Sequence, residues 1–446
     1  MTSARVHLPA TAMRSLLRFA LGAGLALQSA SVLATQTPAV TTYDAEVKRV
    51  VALPAVKQAF AALDADHDRI VAEIIKLTEI PAPPFKEDKR GAAYLQMLKD
   101  AGLTDVSRDA AGNVMGWRRG SGGGPVLAVA AHLDTVFPEG TDVTVKREGT
   151  RLAAPGIGDD SRSLAVVLGI VRALNAAKVQ TRSDILFIGD VGEEGQGDLR
   201  GMKELFIQGA LKGRIGMFIS IDGAGGGEDI TRGAVGSKRY RVRFKGPGGH
   251  SYGAFGLVNP AFAMGNAIQK FSKVVVPASP KTTFNVGTVT GGTSVNSIPF
   301  ETSMEVDMRS VSPQELDKVD RQFKALMQQA ADEENAARST AQGKITVELT
   351  LIGDRPSGET PEPAPIVQTA AAVVRAMDMR PTFSFSSTDS NIPISLGIPA
   401  ITIDSGGRGG RAHALDEWID VEKTSSVRGM QSALALIVTL AGAQNR

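Results

Sequence analysis

The stretch PVLAVAAHLDTV, residues 125–136, determines the fold class of this 446-residue chain. It is a continuous apolar run that turns polar at His132, which is typical of a strand buried on both faces of a parallel sheet. Residues 161–177 follow with helical spacing, and 183–195 and 214–225 are two further buried strands with polar ends. This alternation of strands and helices predicts an α/β fold around a mixed, mostly parallel sheet.

The sequence pattern changes near residue 235. Residues 237–246, SKRYRVRFKG, alternate polar and apolar side chains as a half-exposed antiparallel strand does. The elements that follow have the order β-α-β-β-α-β, which predicts an inserted α+β domain of ferredoxin-like type over residues 234–353. The larger α/β domain is then expected in two parts, 45–233 and 354–446, of which the second begins with a Pro-rich return segment.

Residues 1–34 are expected to be a signal peptide. Arg5, Arg14 and Arg18 precede or flank a short apolar run, and Val32-Leu33-Ala34 fits a cleavage site. A membrane anchor is the alternative, although the apolar run is short for a bilayer span. We therefore expect an exported protein, periplasmic or secreted, with no membrane contact after cleavage.

Composition excludes several classes of protein. The formal charge of +2 falls to about −1 once the three arginines of the signal segment are removed, which gives no reason to expect a nucleic-acid partner. There is no cysteine, so thiol catalysis and thiolate metal sites are excluded, and stability depends on the core. Any metal is held by histidine and carboxylate side chains.

Polar residues cluster where the predicted strands end, and ligand sites of open α/β sheets lie at that edge. Singly, each motif has an ordinary explanation, such as a helix cap for Asp159-Asp160 or a solvated turn for Glu193-Glu194. His67 is expected on an exposed helix face. Taken together, two histidines and several carboxylates at successive strand ends suit two divalent ions, zinc foremost, with cobalt or manganese possible. The motif residues are His132, Asp134, Asp159, Asp160, Glu193, Glu194, Asp222, His250 and His413.

The ordered set of motifs resembles the M20 family of co-catalytic zinc peptidases and amidohydrolases. The motifs are HLDTV at 132–136, GDD at 158–160, the Glu pair at 193–194, DG at 222–223, GGHS at 248–251 and the late His413. The family includes tripeptidase T, glutamate carboxypeptidase, succinyl-diaminopimelate desuccinylase and aminoacylase. The resemblance covers essentially the whole chain after the signal segment.

The resemblance implies a ligand set for two zinc ions. His132 binds one ion and His413 the other, and Asp159 bridges them. Glu194 and Asp222 complete the two coordination shells. The neighbouring Asp160 is expected to support the site without ligating.

The resemblance also implies the remaining roles. Glu193 is the general base for a zinc-bridging hydroxide, and Asp134 is the partner that orients the first histidine. Asn296 and Arg309 hold the carboxylate of a small peptide or N-acyl amino acid. The inserted domain is implied to be a dimerisation or lid domain, and His250 then reaches into the partner subunit of a homodimer to stabilise the oxyanion.

Three other functions stay open. The chain is alternatively an N-acyl-amino-acid deacylase of the same family, or a catalytically silent zinc-binding scaffold. Gly249–Gly253 also reads G-x-S-x-G, the motif of a serine nucleophile, with Asp389 and His413 downstream. The strand before Ser251 alternates and is basic, whereas that motif needs a buried apolar strand, so this function is disfavoured.

Arg408 and Arg411, which precede His413, are expected either to bind an acidic substrate or to be solvated.

Overall fold

The computed structural model describes residues 42–444, so the predicted signal peptide lies outside the described residues. Within this range the chain forms eleven α-helices and twenty-one strands. The helices are α1 (Thr42–Val51), α2 (Pro54–Ala65), α3 (His67–Thr78), α4 (Asp88–Asp100), α5 (Arg162–Ala176), α6 (Arg200–Lys203), α7 (Pro260–Phe271), α8 (Pro313–Ala337), α9 (Pro365–Ala376), α10 (Asn391–Ser395) and α11 (Lys423–Leu440). The strands are β1 (Thr104–Arg108), β2 (Val114–Arg118), β3 (Val126–His132), β4 (Lys146–Glu148), β5 (Arg151–Ala153), β6 (Gln180–Thr181), β7 (Ile185–Asp190), β8 (Ile215–Ile221), β9 (Asp229–Ala234), β10 (Gly236–Lys245), β11 (Gly249–His250), β12 (Thr282–Gly291), β13 (Ser297–Ile298), β14 (Glu301–Ser310), β15 (Thr346–Arg355), β16 (Gly358–Glu359), β17 (Thr382–Ser386), β18 (Ala400–Ile403), β19 (Arg408–Gly410), β20 (Trp418–Asp420) and β21 (Ala443–Gln444).

The large sheet has nine strands in the order β1-β2-β7-β3-β8-β18-β9-β16, and β17 pairs with β9 beside this path. The centre of the sheet is parallel, since β3 pairs in parallel with β7 and β8, and β8 pairs in parallel with β18. The flanking pairs β1-β2, β2-β7 and β9-β16 are antiparallel. The predicted α/β fold with a mixed sheet is confirmed.

Strand β3 is apolar up to its last residue, His132, because both faces of the sheet are covered. Leu127 and Val129 belong to the core cluster that includes α5 and α11, whereas Ala128 and Ala130 belong to a second cluster on the opposite face. Helix α5 approaches α3 closely at Gly169, where an added Cβ would lie 2.5 Å from the Ile70 side chain. The apolar run therefore places the carboxyl end of β3, with His132, at the centre of the sheet edge.

A second sheet is antiparallel, with the order β12-β14-β10-β15. Setting aside the two-residue strands β11 and β13, the elements β10, α7, β12, β14, α8 and β15 have the predicted order. Alternate residues of β10, such as Val242 and Phe244, pack in a separate hydrophobic cluster with α7 and α8. Outward residues pair across strands, for example Arg241 with Glu305 at 2.7 Å. The domain boundaries remain a prediction.

The expectation for His67 is wrong. Its side chain is buried, because His67, Ile70, Val71 and Ile74 recur at the spacing of one helix face and α3 turns that face to the core. Its two acidic neighbours indicated exposure, but the apolar spacing decides the orientation. Among residues 42–444, no helix combines the length and the apolar composition that a bilayer span requires.

Candidate metal centre

His132 ends β3 and lies buried at the edge of the large sheet. Its Nε2 is 2.9 Å from Asp159 Oδ1 and 3.9 Å from Asp222 Oδ1. Asp222 directly follows β8, the parallel neighbour of β3. One imidazole nitrogen and two carboxylates thus lie close together, and they come from the ends of two adjacent strands and from the loop before α5.

His413 lies in the loop between β19 and β20 and completes a second group. Its Nε2 is 3.0 Å from Glu194 Oε1 and 3.2 Å from Asp159 Oδ2. Glu194 follows β7, on the other side of β3 in the sheet. Because the two oxygens of Asp159 approach different histidines, this carboxylate is common to both groups.

These donors suit divalent metal ions. The ligand atoms of His132, Asp159 and Asp222 lie within 4.8 Å of one another, as do those of Asp159, Glu194 and His413. Glu193 also forms such a group with His132 and Glu194. Imidazole nitrogen and carboxylate oxygen are zinc ligands, and three protein donors leave a position for water or substrate. The residues present therefore fit two adjoining metal ions.

The electrostatics of the centre reflect an excess of negative charge. Burial raises the pKa of Asp222 to about 7, and the charge of Asp159 adds to this shift. Burial alone would lower the pKa of His132, but the charges of Asp160 and Asp159 raise that pKa well above its usual value. Hydrogen bonds to Asp159 and Glu194 raise the pKa of His413 to about 10. Bound cations would reverse these shifts, because they stabilise ionised carboxylates and compete with the proton for the imidazole nitrogen.

Asp134 and Asp160 direct their carboxylates to backbone amides. Asp134 accepts hydrogen bonds from the amides of Gly192 at 2.9 Å, Glu193 at 3.1 Å and Glu194 at 2.9 Å, and so shapes the turn after β7. His132 Nδ1 lies 3.0 Å from the backbone oxygen of Asp134 and 3.8 Å from its carboxylate. The main chain of Asp134 is therefore the nearer partner of the imidazole.

Asp160 has a similar structural position. Its Oδ2 accepts from the His132 amide at 3.0 Å, and its Oδ1 accepts from the Gly223 amide at 3.2 Å. The carboxylate thereby connects the ends of β3 and β8 through two hydrogen bonds. Burial raises the pKa of Asp160 well above its usual value, and the neighbouring carboxylates raise it further although His132 opposes them.

Glu193 diverges from Glu194 and contacts Arg355 at the end of β15. Arg355 Nη1 is 3.1 Å from Glu193 Oε1, and the guanidinium also donates to the Glu193 backbone oxygen. Burial raises the pKa of Glu193 well above its usual value, and the Arg355 charge opposes this shift. Arg355 gave no signal in the sequence, where it is a single arginine before a proline.

Glu417 is a second residue that sequence reasoning missed. It is buried, and its carboxylate accepts hydrogen bonds from the amides of Gly156, Gly158 and Asp159. Burial raises the pKa of Glu417 to about 7 while these amides lower it. Its place four residues after His413 was the one signal that pointed to it.

A cavity of about 410 Å³ opens beside the two donor groups. Its walls include Glu193, Arg309 and Arg355, and the hydroxyl-bearing segment 386–388. Arg309 Nε donates to Asp307 Oδ2 at 2.7 Å. The predicted substrate residue Arg309 thus lies in the same cavity as the donor groups.

Asn296, His250 and Ser251 lie elsewhere in the described part of the chain, around the short β11-β13 pair. The Asn296 backbone oxygen accepts from the Ser251 amide at 2.9 Å. His250 is exposed, and its Nδ1 accepts from the amides of Tyr252 at 3.2 Å and Gly253 at 3.3 Å. Among the described residues, Asn296, His250 and Ser251 do not line the cavity beside the donor groups.

The fold and the donor groups define an α/β protein with a candidate centre for divalent metal ions. Residues 128–438 match the model of Peptidase family M20/M25/M40, and the chain belongs to this family. The resemblance seen in the sequence is confirmed, and the chain is a hydrolase of the metallopeptidase type.

Three relatives illustrate the similarity. The chain is 25% identical over 392 residues to the uncharacterized protein YqjE of Bacillus subtilis (strain 168), an alignment that covers 83% of this chain and 98% of YqjE. Its fold matches a tripeptidase from Staphylococcus aureus subsp. aureus mu50 with a TM-score of 0.69 at 20% identity, over 84% of this chain and 98% of the other. It also matches Bacillus subtilis YXEP, described as a dinuclear metal binding peptidase of the M20 family, with a TM-score of 0.61 at 17% identity, over 84% and 98% of the chains.

Proposed function

We propose that this protein hydrolyses peptide or amide bonds of small substrates that carry a free carboxylate, with two divalent metal ions, zinc foremost. One observation carries the proposal: the two carboxylate oxygens of Asp159 approach His132 Nε2 at 2.9 Å and His413 Nε2 at 3.2 Å. A carboxylate shared between two His-containing groups can serve two adjacent metal ions, as a two-metal hydrolytic site needs. The dinuclear description of the similar YXEP protein supports it.

The residues divide into two ligand groups. His132, Asp159 and Asp222 would hold one ion, and Asp159, Glu194 and His413 the other. When bound, such ions polarise a carbonyl oxygen and lower the pKa of water, so that hydrolysis proceeds at neutral pH. Asp134 and Asp160 hold the backbone that presents these ligands.

Glu193 is the proposed general base. It lines the cavity beside both groups, and Arg355 fixes one of its carboxylate oxygens. Glu193 takes the proton from the attacking water and passes it to the leaving amine, so the side chain returns to its starting state after each turnover. The buried Arg355 keeps the carboxylate from rotating away.

Two arginines in the wall of the cavity suit the binding of a carboxylate. Arg239 and Arg309 both line the cavity, and one carboxylate, that of Asp307, pairs with both, so this group of three residues carries a net charge of +1. A guanidinium binds a carboxylate through two parallel hydrogen bonds. Arg309 is therefore the proposed contact for the free carboxylate of a peptide or N-acyl amino acid.

We further propose that His250, as the oxyanion donor, and Asn296, as a contact for the substrate carboxylate, act across a homodimer formed through the inserted domain. The two residues lie outside the cavity of their own chain. His250 is exposed, and its Nδ1 accepts hydrogen bonds from two backbone amides, so the Nε2 of the neutral ring carries the proton and can donate. A donor supplied by the partner subunit would stabilise the oxyanion.

Hydrolysis of a mixed library of dipeptides, tripeptides and N-acyl amino acids tests the proposal. The purified chain is incubated with the library, and products are identified by mass spectrometry, with parallel samples in chelator and in a serine-reactive inhibitor. We expect cleavage that is lost in chelator, restored by Zn²⁺ and unaffected by the serine reagent. The identity of the cleaved library members, peptides or N-acyl amino acids, distinguishes peptidase from deacylase activity.

Two outcomes would contradict the proposal. Tight zinc binding with no cleavage of any library member would favour a silent zinc-binding scaffold. Cleavage lost only to the serine reagent would favour Ser251 as nucleophile.

Export is proposed separately on the basis of residues 1–34, and amino-terminal sequencing of the mature protein together with cell fractionation checks it.

A further inference from the structure

Glu417 connects the two loops that carry the proposed ligands Asp159 and His413. Its Oε1 accepts hydrogen bonds from the amides of Gly158 at 2.7 Å and Asp159 at 2.9 Å, and its Oε2 accepts from the Gly156 amide at 3.1 Å. All three donors belong to one turn before α5. A single buried carboxylate thus satisfies the backbone of the turn that presents Asp159.

The backbone of Glu417 makes two further connections. Its amide donates to the oxygen of Ala414 at 3.0 Å, the residue directly after His413. Its carbonyl accepts from the Ala154 amide at 3.0 Å, which extends the pairing of β20 with β5 toward the turn. Glu417 is therefore bonded to the His413 loop through its main-chain amide and to the Asp159 turn through its side chain.

The turn is shaped to receive this carboxylate. Gly156 has φ of +74°, and an added Cβ on it would lie 2.6 Å from Thr135. An added Cβ on Gly158 would lie 3.2 Å from Glu417 Oε1 and 3.1 Å from Ile419. Gly158 therefore leaves the space that the Glu417 carboxylate occupies, and Gly156 supplies the left-handed backbone of the turn beside Thr135. Glu417 itself is 2% exposed.

We propose that Glu417 is a positioning residue that sets the metal affinity of the centre by holding Asp159 and His413 in their binding geometry. The inference rests on the proposed function, because it needs two metal ions at these ligands. Asp159 belongs to both donor groups and His413 to one. Loss of the Glu417 side chain breaks the three hydrogen bonds that join the turn of the shared ligand Asp159 to the loop of His413, whereas the main-chain bond to Ala414 remains. Partners of metal ligands commonly change metal affinity about 10- to 100-fold.

Zinc titration of the full chain tests the inference without a substrate. The metal-free protein, prepared with chelator, is titrated with Zn²⁺ alone in a calorimeter, for wild type, Glu417→Ala and Glu417→Gln. We expect two equivalents in wild type and an affinity about 10- to 100-fold lower in Glu417→Ala. Glu417→Gln keeps one carbonyl oxygen for Gly158 and Asp159, so its affinity is expected between the other two.

A control variant separates positioning from general destabilisation. Leu434→Ala removes a fully buried side chain of α11, and thermal unfolding shows how far each variant is destabilised. We expect Leu434→Ala to retain wild-type zinc affinity despite a lowered melting temperature. Equal zinc affinities in wild type and both Glu417 variants would overturn the inference and leave the proposed function intact. Wild type that binds fewer than two equivalents would overturn the proposed function and the inference with it.

A second measurement applies if Glu417→Ala does not fold. Hydrogen exchange of the metal-free wild type, read on peptides that cover 155–160, reports the amides that Glu417 accepts from. We expect strong protection of these amides before zinc is added. Exchange at the rate of an open loop in metal-free protein, with protection only after zinc, would overturn the inference, because the ligands would then order the turn.

Discussion

Arg355 Nη1 donates to Glu193 Oε1 over 3.1 Å, and the same guanidinium donates to the Glu193 backbone oxygen. Arg355 ends β15 in the second sheet, whereas Glu193 follows β7 in the large sheet. Both side chains are buried, so water does not compete for the pair. Arg239 of β10 also donates to the Gly195 oxygen at 2.7 Å. The second sheet thus fixes the turn that carries the proposed base.

Replacement of Arg355 by lysine is expected to lower kcat about 100-fold, because displacement of a catalytic group by about 1 Å has an effect of that size. Lysine keeps the charge but has no planar fork to hold two oxygens at once. Steady-state kinetics on the substrate found in the library measure kcat and KM separately. Arg243→Lys, whose ion pairs are partly exposed on the second sheet, is the matched control. A change in KM alone would contradict the positioning of Glu193.

Replacement of Glu193 by glutamine is expected to lower kcat about 10²- to 10⁴-fold while two metal ions remain bound, since the amide cannot accept the proton. Kinetics and metal analysis of the same sample check this. Glu362→Gln, at an exposed position, is the control. Turnover near the wild-type level would show that another group takes the proton.

The fold was predictable because it depends on local patterns, and the same patterns predicted that the candidate donors at the strand ends lie close together. The apolar runs of β3 and β7 identify buried strands, and parallel strands bring their carboxyl ends to one edge, so His132 and Glu194 were expected together. His413 lies in a loop far along the chain, and only the ordered set of family motifs pointed to it. The β-α-β-β-α-β order followed from the alternation in β10 and its successors.

The supporting contacts were not predictable from local patterns. Arg355 and Glu193 are 162 residues apart, and Glu417 and Asp159 are 258 residues apart. Neither pair lies on one periodic element, so no spacing rule joins them. The Asp134 carboxylate likewise accepts hydrogen bonds from three amides of a turn that the chain reaches only after α5 and the four strands β4 to β7. Such contacts depend on tertiary packing.

Metal content is expected to follow the number of donor groups that each ligand serves. Wild type should retain two ions per chain, His413→Ala about one, and Asp159→Ala less than one, because Asp159 belongs to both groups. Elemental analysis after dialysis against metal-free buffer measures this. His67→Ala, a buried histidine outside both groups, should keep two ions. Two ions in Asp159→Ala would rule out the shared carboxylate.

Phe323→Ala is expected to destabilise the protein by about 3–5 kcal/mol, the usual cost of removing a buried aromatic ring. Phe323 is fully buried and its ring lies 5.4 Å from Tyr240 and 5.1 Å from Phe271, in the core between α8 and the second sheet. Urea unfolding followed by circular dichroism measures the free energy of unfolding. Phe262→Ala, at a ring that is 54% exposed, should cost far less. Equal losses in the two variants would contradict the packing described.

His250→Ala and Asp159→Ala are each expected to be nearly inactive alone and to regain activity when mixed. A mixed dimer has one subunit with intact ligands that receives His250 from its partner, so it has one complete site. At equal concentrations half of the dimers are mixed, and roughly a quarter of wild-type activity should return after subunit exchange. Native mass spectrometry confirms that mixed dimers are present, and light scattering confirms that wild type is a dimer. Mixed dimers without activity would show that His250 does not act across the interface.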